Sequence, residues 1–338
     1  MAIKTLKGKQ VILVTGGTGF LGSTLIKLLI EQGHAVLATK RSSSAIPEML
    51  KSSSLIEWID ADVTDYFALA DIFVNINQVY HCAAKVSYQK EDAYELFQVN
   101  VEGTAHIVNL CLEHQARLVH VSSIAALGSR KDNKPVNEAD KWEYDPKMSN
   151  YALSKYKSEL EVWRGINEGL DAVIVNPSVI MGLGSYKKGS GAIFELVNNG
   201  IKIFTGGSVG IVDVEDVTKI MFQLMNSDIK SERFILNSEN ISNKELLYRI
   251  AQLIDKKPPT LKANNLMLSA AWRMAKVLSL MTGKKPVITE ESVQAAASLL
   301  AFSNEKITKA INYSFKPLNH TLQEIANTYY KNDRTQTI

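Results

Sequence analysis

Cysteine, excess charge and long apolar runs are all scarce in this sequence, and each scarcity excludes a class of protein. Two cysteines occur among 338 residues, Cys82 and Cys111, and their spacing is not that of a metal site. We therefore expect two reduced thiols in a cytoplasmic protein rather than a disulfide scaffold. The formal net charge of +3 is too small to indicate a nucleic-acid partner. The histidines form no pair with metal-ligand spacing, so we predict no metal site.

The lack of a long apolar run argues against a membrane span. The most apolar stretch, residues 266–281, is interrupted by Arg273 and Lys276. It is shorter than the roughly 20 apolar residues that a span needs. We predict that this stretch forms an amphipathic helix covering a substrate pocket. Because the first residues also lack the apolar core of a signal peptide, we expect a cytoplasmic protein without a membrane partner.

What the sequence does contain is an alternation of strand-like and helix-like segments. Short β-branched runs without polar alternation alternate with longer helical patterns such as 19–33 and 91–115, as in a sheet covered on both faces. This indicates an α/β fold with a doubly wound parallel sheet, a Rossmann fold, and a smaller, mostly helical substrate lobe. We assign residues 1–180 with 210–240 to the first domain and residues 181–209 with 241–338 to the lobe. The predicted strands are 10–15, 35–40, 54–60, 78–84, 117–123 and 171–177, and 232–237 is expected to return to the sheet.

A glycine-rich turn follows the first predicted strand. Gly17, Gly19 and Gly22 satisfy the pattern G-x-G-x-x-G between a strand and a helix. Glycines at these positions allow a tight turn and a close approach of the backbone to a pyrophosphate. The helix that follows, which we expect Gly33 to cap, offers free N–H groups and a favourable dipole to the anion. The alternative is an ordinary glycine-rich loop, but the strand-to-helix context favours dinucleotide binding.

The acid that often follows the second strand of such folds is missing here. An Asp or Glu about 20 residues after the glycines would bind a ribose 2′-hydroxyl. The sequence has TKRSSS at 39–44 instead, with no acid between Glu31 and Glu48. Lys40 and Arg41 could pair with a 2′-phosphate, and the alternative is a solvated basic turn. We predict that NADP(H) is preferred and that NAD(H) is the second choice.

Tyr151 and Lys155 lie four positions apart in a helical pattern and therefore project from one face. The unperturbed pKa of a phenol is about 10, and a nearby ammonium group lowers it toward the range of proton transfer at neutral pH. A Tyr-x-x-x-Lys pair alone is common by chance. Its interpretation therefore depends on the motifs around it.

Six motifs occur in a specific order along the first half of the chain. They are TGGTGFLG (15–22), DADVTD (60–65), HCAA (81–84), NVEGT (100–104), VSSIAALG (121–128) and YALSK (151–155). In this order they resemble those of the extended short-chain dehydrogenase/reductases. NPSVIMG (176–182) is most similar to the branch of dihydroflavonol reductases and 3β-hydroxysteroid dehydrogenases. The resemblance also implies that a homodimer can form through helices that include the one carrying Tyr151 and Lys155.

The resemblance implies a role for each matching position. Ser123 corresponds to the catalytic serine, Tyr151 to the acid/base and Lys155 to the residue that lowers its pKa. Asn100 would hold an ordered polar contact in the catalytic site, the alternative being a solvated helix residue. Asp62 would bind the adenine amino group, the alternative being a turn or a helix cap. The cofactor contacts that the turns and the resemblance together imply are Gly16, Gly19, Phe20, Leu21, Gly22, Lys40, Arg41, Asp62, Val63, Ala83, Ala84, Tyr151, Lys155, Pro177 and Ser178.

Two further groups of residues carry expectations of their own. His81 and His120 lie in predicted strands, where we expect them to be hydrogen-bonded core residues rather than ligands. An apolar wall is expected around the substrate, which indicates an apolar ligand. Its predicted members are Val179, Met181, Phe194, Phe204 and the helix around Trp272 and Met274.

Together these residues predict a reductase that takes a hydride from NADPH to an aldehyde or ketone of a small, apolar substrate, with Tyr151 supplying the proton. A nucleotide-sugar epimerase is the first alternative, because the same Ser-Tyr-Lys set serves that reaction. Ile124 and Ala125 stand where sugar dehydratases of the family carry an Asp-Glu pair, which disfavours dehydration. A non-catalytic NADP-binding regulator is the third interpretation, and the presence of both Tyr151 and Lys155 argues against it.

Overall fold

The computed structural model describes residues 11–128, 130, 132, 134–146, 148–185, 189–282, 285–286 and 289–331. The strands are β1 (Val11–Thr15), β2 (Ala35–Lys40), β3 (Ile56–Asp60), β4 (Ile76–His81), β5 (Arg117–Val121), β6 (Ala172–Pro177), β7 (Val179–Met181), β8 (Ile203–Phe204), β9 (Ser208–Asp213), β10 (Glu232–Leu236), β11 (Glu239–Ser242) and β12 (Leu261–Lys262). The helices are α1 (Phe20–Glu31), α2 (Tyr66–Ala70), α3 (Ala93–Phe97), α4 (Gly103–Glu113), α5 (Asn150–Asn167), α6 (Ala192–Asn198), α7 (Val214–Met225), α8 (Asn243–Leu253), α9 (Asn265–Thr282), α10 (Glu290–Ala297), α11 (Glu305–Ile311) and α12 (Leu318–Ala326).

Seven parallel strands form the central sheet, in the order β10-β6-β5-β4-β1-β2-β3. All five residues of β1 are buried, as the continuous apolar run predicts for a strand covered on both faces. The chain crosses from β3 at one edge back to β4 beside β1, so the strand order reverses between β1 and β4. Open α/β sheets bind ligands in the crevice at such a reversal, outside the carboxyl ends of the strands. The prediction of a doubly wound Rossmann sheet is confirmed.

Helices cover both faces of this sheet. On one face, α1 and α7 bury Leu25, Ile26 and Ile220 against the strands. On the other face, α4 and α5 bury Ile107 and Val162. The two cores fix the sheet from both sides, and this holds the carboxyl ends of the strands in place as a platform for the site.

A second region packs beside the carboxyl ends of the strands. Its helices α6, α8 and α12 surround a core that includes Phe194, Ile250 and Leu322. Two small sheets accompany them, one of β11, β9 and β7 and one of β12 and β8. By contrast, Ile307 of α11 belongs to the core beneath α1 and α7. The chain therefore crosses between the two regions more often than the predicted domain boundaries assume, and those boundaries stay a prediction.

Local sequence signals account for the ends of several helices. Gly33 adopts a φ of 82° just after α1, which confirms the predicted glycine cap. The Ser149 hydroxyl accepts a hydrogen bond from the Ala152 N–H (3.1 Å) at the start of α5. The helix predicted over 91–115 is interrupted: a π-helical segment, Gln98–Glu102, separates α3 from α4. Within the described residues, no helix is long and apolar enough to cross a membrane.

Candidate active site

The turn between β1 and α1 brings main chain against main chain. Gly16 has a φ of 68°, in the left-handed region that favours glycine. A Cβ atom at Gly16 would lie 2.8 Å from both the backbone N and the Cα of Ala83, the second residue after β4. A Cβ atom at Gly22 would lie 2.3 Å from the carbonyl oxygen of Gly16. Side chains at either position would therefore force this turn apart.

The start of α1 is open to a ligand. Gly19 stands at the N-cap and has no side chain to cap the first N–H groups, which also lack acceptors within the helix. Such N–H groups, together with the helix dipole, suit a pyrophosphate. The turn thus fits a dinucleotide in its shape and in its hydrogen-bonding capacity. The first turn of the helix contains the predicted cofactor contacts Phe20, Leu21 and Gly22.

The two predicted cations after β2 differ in their surroundings. The Lys40 ammonium group forms an ion pair with the carboxylate of Asp60, at the end of the neighbouring strand β3. Arg41 is exposed, and no carboxylate within the described residues pairs with it. Of the two, Arg41 is therefore the cation available to a phosphate.

Asp62 and Val63 follow β3. One carboxylate oxygen of Asp62 accepts hydrogen bonds from the backbone N–H (3.0 Å) and the hydroxyl (2.8 Å) of Thr64. The turn that the sequence offered as an alternative for Asp62 is therefore present, and its contact with adenine stays a prediction. Val63 is buried against α4: a Cβ atom at Gly103 would lie 2.8 Å from Val63 Cγ2. This explains the glycine of the NVEGT motif.

Asn100 holds the loop that follows Ala83 and Ala84. Its side chain is buried within the π-helical segment. The Asn100 Oδ1 accepts from the Lys85 N–H (2.8 Å), and the Nδ2 donates to the Lys85 carbonyl (3.0 Å). The same Nδ2 group also donates to the Ser154 hydroxyl of α5 (2.9 Å). Asn100 thereby ties the end of β4 to the helix that carries Tyr151, and it is not a solvated helix residue.

Ser123, Tyr151 and Lys155 lie together at the carboxyl ends of β5 and β6. Ser123 precedes a short 3₁₀ turn, where its Oγ accepts from the Ala125 N–H (3.2 Å). Its side chain also forms a hydrogen bond with Tyr151. Lys155 is one helical turn further along α5, and its Nζ donates to the carbonyl of Val121 (2.8 Å). The structure thus brings the three residues of the sequence pattern into one cluster, in which Lys155 is buried and Ser123 and Tyr151 are partly exposed.

Burial controls the protonation of this cluster. It raises the pKa of Tyr151 to about 12, while the hydrogen bond with Ser123 acts in the opposite direction. It lowers the pKa of Lys155 to about 8, and the neighbouring Glu159 carboxylate partly opposes this. The sequence predicted a lowered pKa for Tyr151 and the structure has a raised one, because loss of solvation outweighs any attraction from the ammonium group. The phenol is therefore protonated at neutral pH.

A buried carboxylate that the sequence analysis missed lies behind these residues. Glu159 occupies the turn of α5 after Lys155 and is only 2% exposed. It accepts hydrogen bonds from the Ser122 hydroxyl (2.9 Å) and the Asn176 Nδ2 (2.9 Å). The Arg233 guanidinium of β10 forms an ion pair with it (2.9 Å). Since Asn176 Nδ2 also donates to the Ser123 carbonyl (3.0 Å), this network fixes the backbone beside Ser123.

Tyr88 is a second residue that no sequence motif marked. It lies in the loop after β4, and its ring is edge-on to that of Tyr151, with 5.9 Å between the ring centroids. Glu291 of α10 approaches from the far end of the chain and accepts a hydrogen bond from the Asn150 N–H. Burial raises the pKa of both Tyr88 and Glu291. Only the tertiary fold brings these two residues to the site, so no local pattern in the sequence marks them.

Pro177 and Ser178 continue from β6 toward the same edge. Pro177 ends the strand, and the Ser178 N–H donates to the Leu236 carbonyl of β10 (2.9 Å). The Ser178 hydroxyl is buried and has no hydrogen-bond partner within the described residues. A buried hydroxyl without a partner is costly, so a ligand that bonded to it would gain from that contact.

The two strand histidines differ from each other. His81 is hydrogen-bonded as predicted, through Nδ1 to Thr15 Oγ1 (2.7 Å) and through Nε2 to Thr104 Oγ1 (3.1 Å). His120 is a buried core residue as predicted, but the predicted hydrogen bonds are missing: neither ring nitrogen has a partner among the described residues, and its ring lies 5.3 Å from the His81 ring. Burial lowers the pKa of His81 to about 3 and lowers that of His120 as well. Both imidazoles are neutral at physiological pH.

The predicted apolar wall is largely wrong. Met181, Phe194 and Phe204 belong to the core of the second region. Val179 is half-buried in β7, and Met274 is 71% exposed on α9. Met181, Phe194 and Phe204 therefore pack in a core instead of lining a pocket, and Met274 points to solvent.

Comparisons with known proteins agree with this fold. The model of the NAD dependent epimerase/dehydratase family matches residues 12–236. The chain is 27% identical over 333 residues to a protein of Synechocystis sp. that carries the provisional name dihydroflavonol 4-reductase, and the match covers 96% of each chain. It is 29% identical over 254 residues to Sterol demethylase protein B of Methylococcus capsulatus, covering 74% of this chain and 76% of that protein. The crystal structure of gox2253 superposes with a TM-score of 0.81 at 28% identity, covering 96% of this chain and 99% of that one.

Proposed function

This chain belongs to the NAD dependent epimerase/dehydratase family, the extended short-chain dehydrogenase/reductases, and on that premise we propose that it is an NADPH-dependent reductase of an aldehyde or ketone. The observation that carries the proposal is the cluster of Ser123, Tyr151 and Lys155 at the carboxyl ends of the strands. The open start of α1 beside that cluster is the site proposed for the cofactor diphosphate.

The protonation state of the cluster suits reduction. When bound, NADPH supplies the hydride. Tyr151, protonated because burial raises its pKa, donates its proton to the carbonyl oxygen. The Ser123 Oγ accepts a hydrogen bond from Ala125, and its O–H, which contacts Tyr151 in this structure, is placed to donate to the same oxygen when a substrate is bound. Lys155, with a pKa of about 8, carries a positive charge near neutral pH that stabilises negative charge developing on the substrate.

Three observations support the finer parts of the proposal. Arg41, exposed and without a carboxylate partner in the described part of the chain, is the proposed partner of a 2′-phosphate, which favours NADP(H) over NAD(H). The relatives named for a dihydroflavonol and a sterol support an apolar substrate, since both compounds are uncharged and polycyclic. The relative that spans nearly the whole chain carries the name of a reductase, which favours reduction over sugar epimerisation.

Oxidation of NADPH in the presence of a panel of aldehydes and ketones tests the reaction. Tyr151→Phe should reduce kcat on the order of 10²–10⁴-fold and leave the Kd for NADPH within about twofold, because only the proton donor is lost. Tyr156→Phe is the matched control, since Tyr156 stacks on Trp142 outside the cluster (3.8 Å between ring centroids). Full activity in Tyr151→Phe would remove the acid/base assignment. Tight NADPH binding without turnover of any carbonyl would favour the regulator instead.

The cofactor preference is tested separately. Arg41→Gln should lower kcat/KM for NADPH about tenfold and leave that for NADH nearly unchanged, because a charge-assisted bond to the 2′-phosphate is lost. Lys51→Gln, at an exposed lysine that pairs with Glu48, is the control for a general loss of positive charge. A wild-type preference for NADH would contradict the proposal.

A further inference from the structure

The helix α9 turns apolar side chains toward solvent. Leu266 is 81% exposed, Met274 71%, Leu278 61% and Val277 57%. Single exposed apolar residues are ordinary on protein surfaces, but several on one helix form a contiguous patch. No such patch is expected on a helix that covers a pocket, because a covering helix would turn its apolar face inward.

The spacing of these residues makes one apolar face. Leu266, Ala270, Met274 and Val277 recur at intervals of three and four, so they lie in one row along the helix. Ala271 and Ala275, which lie elsewhere on the helix, are partly buried. Leu268 and Trp272 are partly buried as well, so the helix packs through one face and presents a second apolar face outward.

Positive charge is concentrated in the part of the sequence that contains α9. Residues 256–289 contain no Asp or Glu. Removing the seven positive charges of this segment from the net charge of +3 leaves −4 for the rest of the chain. Arg273 and Lys276 lie on α9 itself and are exposed, and within the described residues no carboxylate pairs with either. The cationic residues of the segment are Lys256, Lys257, Lys262, Arg273, Lys276, Lys284 and Lys285.

The same segment is fastened to the loop that carries Tyr88. The Gln89 Nε2 donates to the Pro286 carbonyl (2.7 Å), and Lys285 forms an ion pair with Asp92 (2.7 Å). Glu291, a few residues further, lies near enough to Tyr88 to raise its pKa. The apolar face of α9 is therefore attached to the rim of the candidate active site.

We propose that α9 docks the protein on the surface of an anionic lipid bilayer. An amphipathic helix that lies in the interface buries its apolar face at the boundary of headgroups and acyl chains, and its Lys and Arg residues contact anionic headgroups. α9 combines these two features: the apolar row enters the interface, and Arg273 and Lys276 meet lipid phosphates. Docking in this way would present the rim of the site to apolar molecules dissolved in the membrane. The proposal replaces the expectation, drawn from the sequence alone, that the protein has no membrane partner.

Co-sedimentation of the full chain with lipid vesicles tests this docking. We expect the wild type to bind vesicles of phosphatidylcholine and phosphatidylglycerol, to bind pure phosphatidylcholine at least tenfold more weakly, and to lose most binding at about 0.5 M salt. The double variant Met274→Glu/Val277→Glu should lose binding to both kinds of vesicle. Phe67→Glu is the matched control, because Phe67 on α2 is as exposed as Leu266, at 81%, and lies outside α9.

Several outcomes would overturn the proposal. These are no vesicle binding by the wild type, equal binding to neutral and anionic vesicles, or an equal loss in Phe67→Glu. Sedimentation velocity without vesicles tests whether a second copy of the chain covers this face instead. A wild-type dimer that becomes a monomer in Met274→Glu/Val277→Glu would assign the face to a second copy of the chain. Circular dichroism of both variants ensures that each is folded. None of these measurements depends on catalysis, so their outcome is independent of the proposed reaction.

Discussion

α5 and α9 are both 18 residues long, and they depart from the usual distribution of polar and apolar residues in opposite directions. α5 buries polar side chains, among them Ser154, Lys155, Ser158 and Glu159. α9 exposes apolar ones, including Leu266 and Met274. A helix chosen only for stability would do neither, since buried charge and exposed apolar surface both carry a cost.

The comparison shows where stability has been exchanged for function. On α5, each buried polar group meets a partner: Glu159 bonds to four side chains, and Lys155 bonds to a backbone carbonyl. The cost is thereby reduced, and the groups are held in fixed positions. On α9, the described structure offers the apolar face no partner within the chain, and docking on a lipid surface is the partner that we propose for it. The predictions below test these two halves of the comparison.

The largest effect is expected at Glu159. Glu159→Gln leaves the partly buried Arg233 without its charged partner, so we expect the free energy of unfolding to fall by about 3–5 kcal/mol. Because the carboxylate raises the pKa of Lys155, the basic limb of the pH–rate profile should also move to lower pH. Glu161→Gln, at a partly exposed ion pair on the same helix, should cost less than about 1 kcal/mol. If urea unfolding gave the same loss of free energy for both variants, the burial of Glu159 would not be the cause.

A smaller effect, opposite in sign, is expected at Lys155. Its pKa falls from 10.5 to about 8 in the folded protein, which corresponds to roughly 3 kcal/mol of unfavourable burial when it is charged. Between these two values the unfolded chain holds the proton and the folded chain does not, so this group makes the wild type more stable as pH rises.

Lys155→Met removes the charge. We therefore expect the variant to be the more stable at about pH 7, by up to about 3 kcal/mol less the lost hydrogen bond to Val121, and the advantage to disappear near pH 10. Urea unfolding of both proteins at the two pH values measures this. A difference that does not change with pH would show that burial of the charge is not the cause.

The smallest effect compares one substitution on the two helices. Val162→Thr places a hydroxyl in the core beneath α5, where Val162 is fully buried, and should cost about 1–2 kcal/mol. Val277→Thr on α9 replaces a valine that is 57% exposed and should change the free energy of unfolding by no more than about 0.5 kcal/mol. A large loss at Val277 in the absence of lipid would mean that α9 packs against protein.

The sequence predicted the elements whose pattern depends on near neighbours. The apolar runs identified the strands of the main sheet, and Gly33 marked the end of α1. The Tyr151–Lys155 pair was readable because both residues lie on one helix, and Ser123 because its motif is local. In each case the spacing along the chain fixes the spacing in the structure.

What the sequence could not predict depends on contacts between distant segments. Glu159 looks like an ordinary helix carboxylate until Arg233 and Asn176 are brought to it. Tyr88 and Glu291 are some two hundred positions apart in the sequence, and only the tertiary fold joins them. The pKa of Tyr151 was misjudged for the same reason, because burial is a property of the whole fold. Met274 was misplaced because apolar spacing shows that a helix has a face without showing which way the face points.

The π-helical segment at Gln98–Glu102 makes the site sensitive to the loss of a single residue from this part of the chain. A π turn holds one more residue than an α turn, so deleting a single residue there would let α3 and α4 join as one regular helix. That change would improve the local backbone geometry and at the same time swing the Asn100 amide by roughly a quarter turn, away from Lys85 and Ser154. The irregular turn thus acts as a spacer that keeps one amide aimed inward at the expense of a smoother helix.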